Sequence, residues 1–186
     1  TDILICGGGM AACGAAVEAS YWANKNGLKV TLVDKAAMDR SGAVAMGLSA
    51  INQYVDINSG KNTCEDYVNY VRNDLMGIAR EDLVYDIARH VDSSVHLFEK
   101  WGLPIWKTED GESYKVIVAE AAKDALTQFG GEYFERVFIT NPLMDGDRIA
   151  GAVGFSTREE KFYVFKSKVT LACMGGAVHV FKPRSS

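Results

Sequence analysis

Thr1-Asp2-Ile3-Leu4-Ile5-Cys6-Gly7-Gly8-Gly9-Met10-Ala11-Ala12-Cys13-Gly14-Ala15-Ala16 decides the fold. Ile3 to Cys6 is a short, continuous apolar run, as expected of a strand buried on both faces. Gly7 to Ala12 follows without a break and reads G-x-G-x-x-A, and Cys13 onward opens a helix of small residues. Strand, glycine turn and helix together form the dinucleotide-binding fingerprint in its required context. In that reading Gly7 permits the tight turn and Gly9 lets backbone approach a pyrophosphate. Ala12 is small enough for close helix–strand packing. The phosphates rest on the unbonded N–H groups of the first helical turn, at the positive end of its dipole.

The second half of the fingerprint is also present. Leu28-Lys29-Val30-Thr31-Leu32-Val33-Asp34 reads as the next strand and ends on an acid, Asp34. It stands near the ~20-residue spacing expected of a group that binds a ribose hydroxyl. The competing reading is a plain βαβ crossover with Asp34 a solvated strand-end acid.

Working outward, Lys35 to Asn52 is rich in glycine, alanine and serine and lacks clear periodicity. Such a loop suits close approach of backbone to a flat ligand, because few side chains intervene. Thr63-Cys64-Glu65-Asp66 carries the cap pattern of a helix running through Tyr67, Val68, Val71 and Leu75 and stopping at Gly77. A second helix is expected to place Leu83, Val84, Ile87, Ala88, Val91, Val95 and Phe98 on one face. His90 and His96 read as surface or capping residues. A third helix, Glu112 to Phe129, stops at Gly130. The period then changes to two, and Tyr133–Leu143, Arg148–Ser156 and Lys161–Lys166 read as three antiparallel strands with Asp145-Gly146 at a hairpin turn. Lys168 to Cys173 reads as a return to a buried parallel strand, closed by Gly175-Gly176.

Composition sets bounds on function. A hydrophobic fraction of 48% and a net charge of −4 describe a globular chain with no electrostatic case for nucleic acid or an anionic membrane as partner. No apolar run approaches bilayer length. Cys6, Cys13, Cys64 and Cys173 have no C-x-x-C spacing and read as small buried residues in a reducing compartment, neither disulfides nor metal ligands. The chain opens directly in a strand and closes shortly after a glycine pair, so a piece of a longer protein is expected.

With these segments laid out, the chain resembles the flavoprotein subunits of the succinate dehydrogenase/fumarate reductase superfamily. Within it, the chain is most similar to the alpha subunits of dissimilatory adenylylsulfate (APS) reductases. ILICGGGMAACGAA, VTLVDKAAMDRSGAVAMGLSAIN, HLFEKWGLP, GESYKVIVAEAAK, RIAGAVGF and GGAVHVFKPRSS carry the likeness. The resemblance implies an α/β fold: a Rossmann-like FAD-binding domain, with helices on a parallel sheet, carrying a three-stranded antiparallel β-meander. It implies one partial domain over 1–186. This comprises a βαβ unit (1–34), a flavin loop (35–62), a helical segment (63–130), the meander (133–167) and a closing strand with its glycine pair (168–177). The capping and helical domains lie outside.

The resemblance implies that the dinucleotide is FAD. Its implied contacts are Gly7, Gly9, Met10, Ala11, Ala12, Asp34, Lys35, Ser41, Gly42, Gly47, Leu48, Ser49, Asn52, Val137, Ala172, Gly175 and Gly176. Superfamily members with covalent flavin carry a histidine after the serine of an R-S-H-T loop. Here Gly42 follows Arg40-Ser41, so FAD is expected to be held non-covalently. Asn52 matches a position lining flavin and substrate and is the implied catalytic residue, a neutral amide suited to anionic oxygens.

The implied reaction reduces adenylylsulfate to AMP and sulfite, or runs in reverse, through a flavin N5–sulfite adduct. An iron–sulfur beta subunit supplies the electrons. No nucleic acid, metal site or transmembrane segment belongs to this reading, and the location is cytoplasmic. The alternatives are a non-covalent flavoprotein of the fumarate reductase or aspartate oxidase type and a non-catalytic nucleotide-binding fragment. Three departures from the pattern are evident. Glu109-Asp110-Gly111 runs directly into Glu112-Ser113-Tyr114-Lys115 where the family has a longer loop. Met46 replaces a usual glutamine. The family's catalytic arginine and histidine lie beyond Ser186.

Overall fold

The computed structural model describes residues 1–46, 61–102 and 111–176. They fall into two compact units, one built from 1–48 and 110–186, the other from 49–109.

In the first unit, β1 (Ile3–Cys6) is buried from Leu4 to Cys6. Helix α1 (Met10–Lys25) turns its small residues Ala12, Cys13, Ala16, Ser20 and Ala23 inward. Their i, i+3/i+4 spacing makes one face, and their size lets the helix approach other elements closely. Gly27, at φ +64°, ends it and returns the chain to β2 (Val30–Val33), which is buried throughout. β1 pairs in parallel with β2 on one side and with β7 (Val169–Ala172) on the other, and β2 pairs in parallel with β3 (Glu132–Phe134). The resulting order β3-β2-β1-β7 reverses direction at β1. The carboxyl ends of β1 and β7 therefore form a topological switch point, where open α/β sheets bind ligands.

Helix α5 (Gly111–Gln128) packs beside α1 and buries Tyr114, Lys115, Val118, Ala119, Ala122, Ala125 and Leu126. A second sheet is an antiparallel meander of β4 (Val137–Asp145), β5 (Arg148–Ser156) and β6 (Phe162–Lys166). One hydrophobic cluster joins the two sheets: Leu4, Cys6 and Val33 meet Val137, Ala152 and Phe165, with Phe134, Ile139 and Tyr163 packed against them. Phe134 sets its edge against both Tyr163 and Phe165.

Three readings of the sequence are corrected. The run from Tyr133 to Leu143 is two strands in different sheets, because Arg136 adopts φ +62° and turns the chain from β3 into β4. Strand β7 lies at the edge of the sheet with Val169 and Ala172 exposed; among the described residues no strand pairs with it beyond β1. The apolar stretch from Leu83 to Phe98 is two helices, α3 (Glu81–Ala88) and α4 (Val91–Lys100), separated at Arg89-His90. The break takes Leu83 and Ile87 off a common buried face, and both are exposed.

The second unit thus holds α2 (Cys64–Asp74), α3 and α4. Thr63 and Asp66 close the expected capping box at the start of α2. Two hydrogen bonds from Arg72 to Glu81 tie α2 to α3. His90 is the exposed N-cap of α4, and His96 is exposed on α4.

Gly151 in β5 has φ +141°, and a Cβ there would overlap the Phe165 carbonyl oxygen of β6. Gly151→Ala is expected to destabilise this unit by about 1–3 kcal/mol from backbone strain alone. The reading is a lower urea midpoint in the full chain, and an unchanged midpoint would contradict the described apposition of β5 and β6.

Candidate functional site

The three glycines after β1 each meet a different neighbour. A Cβ on Gly7, at φ +119°, would overlap the Cys173 carbonyl oxygen at the end of β7. A Cβ on Gly8 would overlap the Asp34 carboxylate at the end of β2. Gly9 faces Gly42, whose own Cβ would come within 2.9 Å of Gly9 Cα. Because no side chain stands on the turn, β7, Asp34 and the loop after Arg40 all close directly on backbone.

Gly9 is the N-cap of α1 and carries no side-chain cap. The first intrahelical bond runs from the Cys13 N–H to the Gly9 carbonyl at 3.0 Å. The amides of Met10, Ala11 and Ala12 precede it, at the positive end of the helix dipole. Asp34 is held by its main chain: its N–H donates to Phe134 O at 2.8 Å, and its carbonyl accepts from Val137 N–H at 2.9 Å. Its side chain is buried, yet among the described residues Oδ2 has no hydrogen-bond partner. A buried carboxylate oxygen with an unmet acceptor beside a glycine turn suits a ligand hydroxyl, since leaving it unpaired is costly.

The loop that brings Gly42 to Gly9 is anchored at its start. A short 3-10 turn, Met38–Arg40, is followed by buried Ser41, by Gly42 at φ +89°, and by a second turn, Ala43–Met46. The Met38 N–H donates to Glu135 Oε1 at 2.7 Å, and the same oxygen accepts Lys123 Nζ at 2.8 Å. On the other side, Lys115 Nζ donates to the Met38 carbonyl and lies 3.4 Å from Cys13 Sγ.

The other expected site residues divide by position. Ala12 is fully buried against the sheet, whereas Met10 is half-buried and Ala11 exposed at the helix mouth. Lys35 is exposed, with Nζ 5.9 Å from the Phe138 ring centroid. Val137 places its side chain in the core cluster and only its main chain beside Asp34. Ala172 pairs with Cys6 in register, and Gly175 and Gly176 follow, exposed, beyond the strand. Gly47, Leu48, Ser49 and Asn52 lie outside the described residues.

Thiols near the turn are not set up as nucleophiles. Burial pushes Cys6 up to about 11, with the neighbouring Cys173 adding to the rise, and burial also raises Cys13 and Cys173. All three stay protonated at neutral pH and are inert as structural thiols. No group of three metal-capable side chains occurs among the described residues. No helix among them is long and apolar enough to cross a membrane.

Three residues of this site escape a motif reading. Gly8 occupies an unconstrained position of G-x-G but is required by Asp34. Glu135 gives no sequence signal. Lys115 gives one: Val118, Ala119 and Ala122 follow it at helical spacing on the buried face, so a charged residue stands on an apolar stripe.

Taken together, the switch-point turn, the bare helix N-terminus and the orphan acid at the end of β2 define a dinucleotide-binding domain of the Rossmann-like class. The chain belongs to the FAD binding domain family, whose model matches residues 2–152. It is 48% identical to the adenylylsulfate reductase subunit alpha of Megalodesulfovibrio gigas over 223 residues, covering 99% of this chain and 33% of that protein. The matched span exceeds the 186 residues of this chain, so that relative carries inserted residues within it. The adenylylsulfate reductase structure from the hyperthermophilic Archaeoglobus fulgidus is 59% identical, with a TM-score of 0.84, over 100% of this chain and 32% of that one. An adenosine-5-phosphosulfate reductase in complex with sulfite, as a covalent adduct, matches with the same identity, coverage and TM-score. The chain spans about a third of the length of these relatives.

FAD fits this site: the Met10, Ala11 and Ala12 amides precede the first intrahelical bond of α1, Asp34 Oδ2 lacks a donor among the described residues, and Gly42 places no side chain against Gly9. Asp34→Asn is expected to weaken FAD binding about 10- to 150-fold. That is the loss of one hydrogen bond to a charged group, about 1.5–3 kcal/mol. Flavin titration of the apoprotein checks it, and an affinity within twofold of the unaltered protein would remove Asp34 from the site.

Proposed function

We propose that this chain is the FAD-binding portion of an adenylylsulfate reductase alpha subunit. The observation that carries this reading is Gly42 seated on Gly9 in a chain 48–59% identical, along nearly its whole length, to adenylylsulfate reductases. Bound FAD would supply two-electron redox chemistry for interconverting adenylylsulfate with AMP and sulfite.

The chain's own residues bind and orient the cofactor. The N–H groups of Met10, Ala11 and Ala12 receive the pyrophosphate, where the helix end favours negative charge. Asp34 Oδ2 accepts a ribose hydroxyl. Buried Ser41 is a flavin contact by resemblance, and Gly42 offers backbone alone to the ring system. A glycine has no side-chain nitrogen to bond to flavin, so the cofactor is held without a covalent link. Ala172, Gly175 and Gly176 border the site from the end of β7, Val137 through its main chain beside Asp34, and Lys35 from the meander side. Gly47, Leu48 and Ser49 complete the flavin contacts by resemblance. Asn52 completes the substrate side, its neutral amide donating to anionic oxygens without adding charge.

The same resemblance assigns electron delivery to an iron–sulfur beta subunit and a cytoplasmic location. The protonated, unpaired thiols suit a reducing compartment.

Two measurements on the full-length protein test this reading. Acid precipitation is expected to release all flavin into the supernatant, whereas flavin retained on the pellet would contradict a non-covalent site at Gly42. Sulfite oxidation that requires AMP is expected with an artificial electron acceptor. Fumarate reduction in its place would transfer the chain to the fumarate reductase or aspartate oxidase type.

A further inference from the structure

The most unusual side chain of the first unit is Lys115. It is fully buried, at 0% exposure, on the face of α5 that packs beside α1. Its two hydrogen-bond partners are neutral: the Met38 carbonyl and Cys13 Sγ at 3.4 Å. Cys13 Sγ in turn lies 3.6 Å from the Gly8 carbonyl, so one sulfur atom separates the ammonium from the glycine turn. An ammonium removed from water without a hydrogen-bonded anion is expensive. Its position beside the first turn of α1 adds a second cost, because the helix dipole is positive there. Asp34, across the turn against Gly8, makes no hydrogen bond with it. Core packing alone would be met by methionine or leucine. The ammonium does one thing those could not: it grips the carbonyl of Met38, whose N–H is already held by Glu135.

We propose that Lys115 is a positioning residue for the FAD site: its ammonium clamps Met38 so that Ser41 and Gly42 sit on Gly9, and its charge backs the helix end that receives the pyrophosphate. This rests on the FAD reading above. Glu135 and Lys115 hold the N–H and the carbonyl of one residue. Gly42 follows four residues later, where contact with Gly9 leaves little slack. The positive charge that is unfavourable in the empty site becomes favourable when an anionic pyrophosphate lies on the α1 amides. The same residue therefore penalises the empty site and strengthens the filled one.

The test uses the full-length protein carrying Lys115→Met, which keeps an unbranched stem of similar length and removes the charge and donors. FAD affinity is read by titrating the apoprotein, and loop order by tryptic cleavage after Arg40 against cleavage after the exposed hairpin residue Arg148. Loss of at least tenfold in FAD affinity is expected. Faster cutting after Arg40 with unchanged cutting after Arg148 is expected too, and the apoprotein thermal midpoint should stay level or rise. Lys115→Gln, which retains a donor without the charge, is expected to recover part of the loop protection; it also serves if Lys115→Met does not fold.

An affinity within twofold of the unaltered protein overturns the proposal. So does a parallel rise in cleavage at both sites with a lowered midpoint, which marks a residue of general packing; failure of both variants to fold counts the same way. Absence of FAD binding in the unaltered protein would instead overturn the function proposed above.

Discussion

The constraint on which the rest of the unit depends is that three consecutive residues present nothing but backbone. Gly7 meets the end of β7, Gly8 meets Asp34, and Gly9 meets Gly42. Each neighbour comes from a different part of the chain; a methyl group on Gly7 or Gly8 would overlap its neighbour, and a methyl group on Gly42 would crowd Gly9. At this turn the ends of β1, β2 and β7 and the loop after Arg40 converge. Replacing Gly7, Gly8 or Gly42 therefore displaces a different neighbour of the turn. The residues that would touch a nucleotide and those that hold the walls together are therefore partly the same.

Around that turn, packing and polarity divide the work. The core cluster of Leu4, Cys6, Val33, Val137, Ala152 and Phe165 fixes the meander to the parallel sheet, and its burial is apolar throughout. Beside it stand three polar groups: Asp34 with an unpaired oxygen, Lys115 with neutral partners, and Glu135 shared between Lys123 and Met38. Buried polar groups are tolerated when they are satisfied. Asp34 and Lys115 are incompletely satisfied by protein, and both border the glycine turn. Incomplete satisfaction at one place is what a ligand site leaves behind in the protein alone.

Much of this was legible from the residues. Strand, glycine turn and small-residue helix are a local pattern in which every step has a steric reason, so β1, α1 and β2 fall where the sequence puts them. The capping box at Thr63 and Asp66 is likewise a local signal with a local outcome. What escaped was set by tertiary context. Nothing in Glu132 to Asp145 announces that the chain leaves one sheet for another at Arg136, since a positive φ at a non-glycine residue has no sequence mark. The single apolar stripe from Leu83 to Phe98 has helical period throughout, and only the structure shows the break at His90. Gly8 occupies the variable position of the G-x-G pattern, so the motif itself gives no reason for a glycine there. Its requirement comes from Asp34, a strand away.

The α1 N-terminus and the segment from Asp34 to Gly42 are proposed to form one dinucleotide site. Amide hydrogen exchange of the full-length protein with and without FAD tests this most directly. Protection of the Met10, Ala11 and Ala12 amides and of residues 38–42 is expected to rise together by at least about tenfold on FAD addition. The hairpin at Asp145–Arg148 should keep its rate. Flavin binding that protects neither segment, or one without the other, would contradict it.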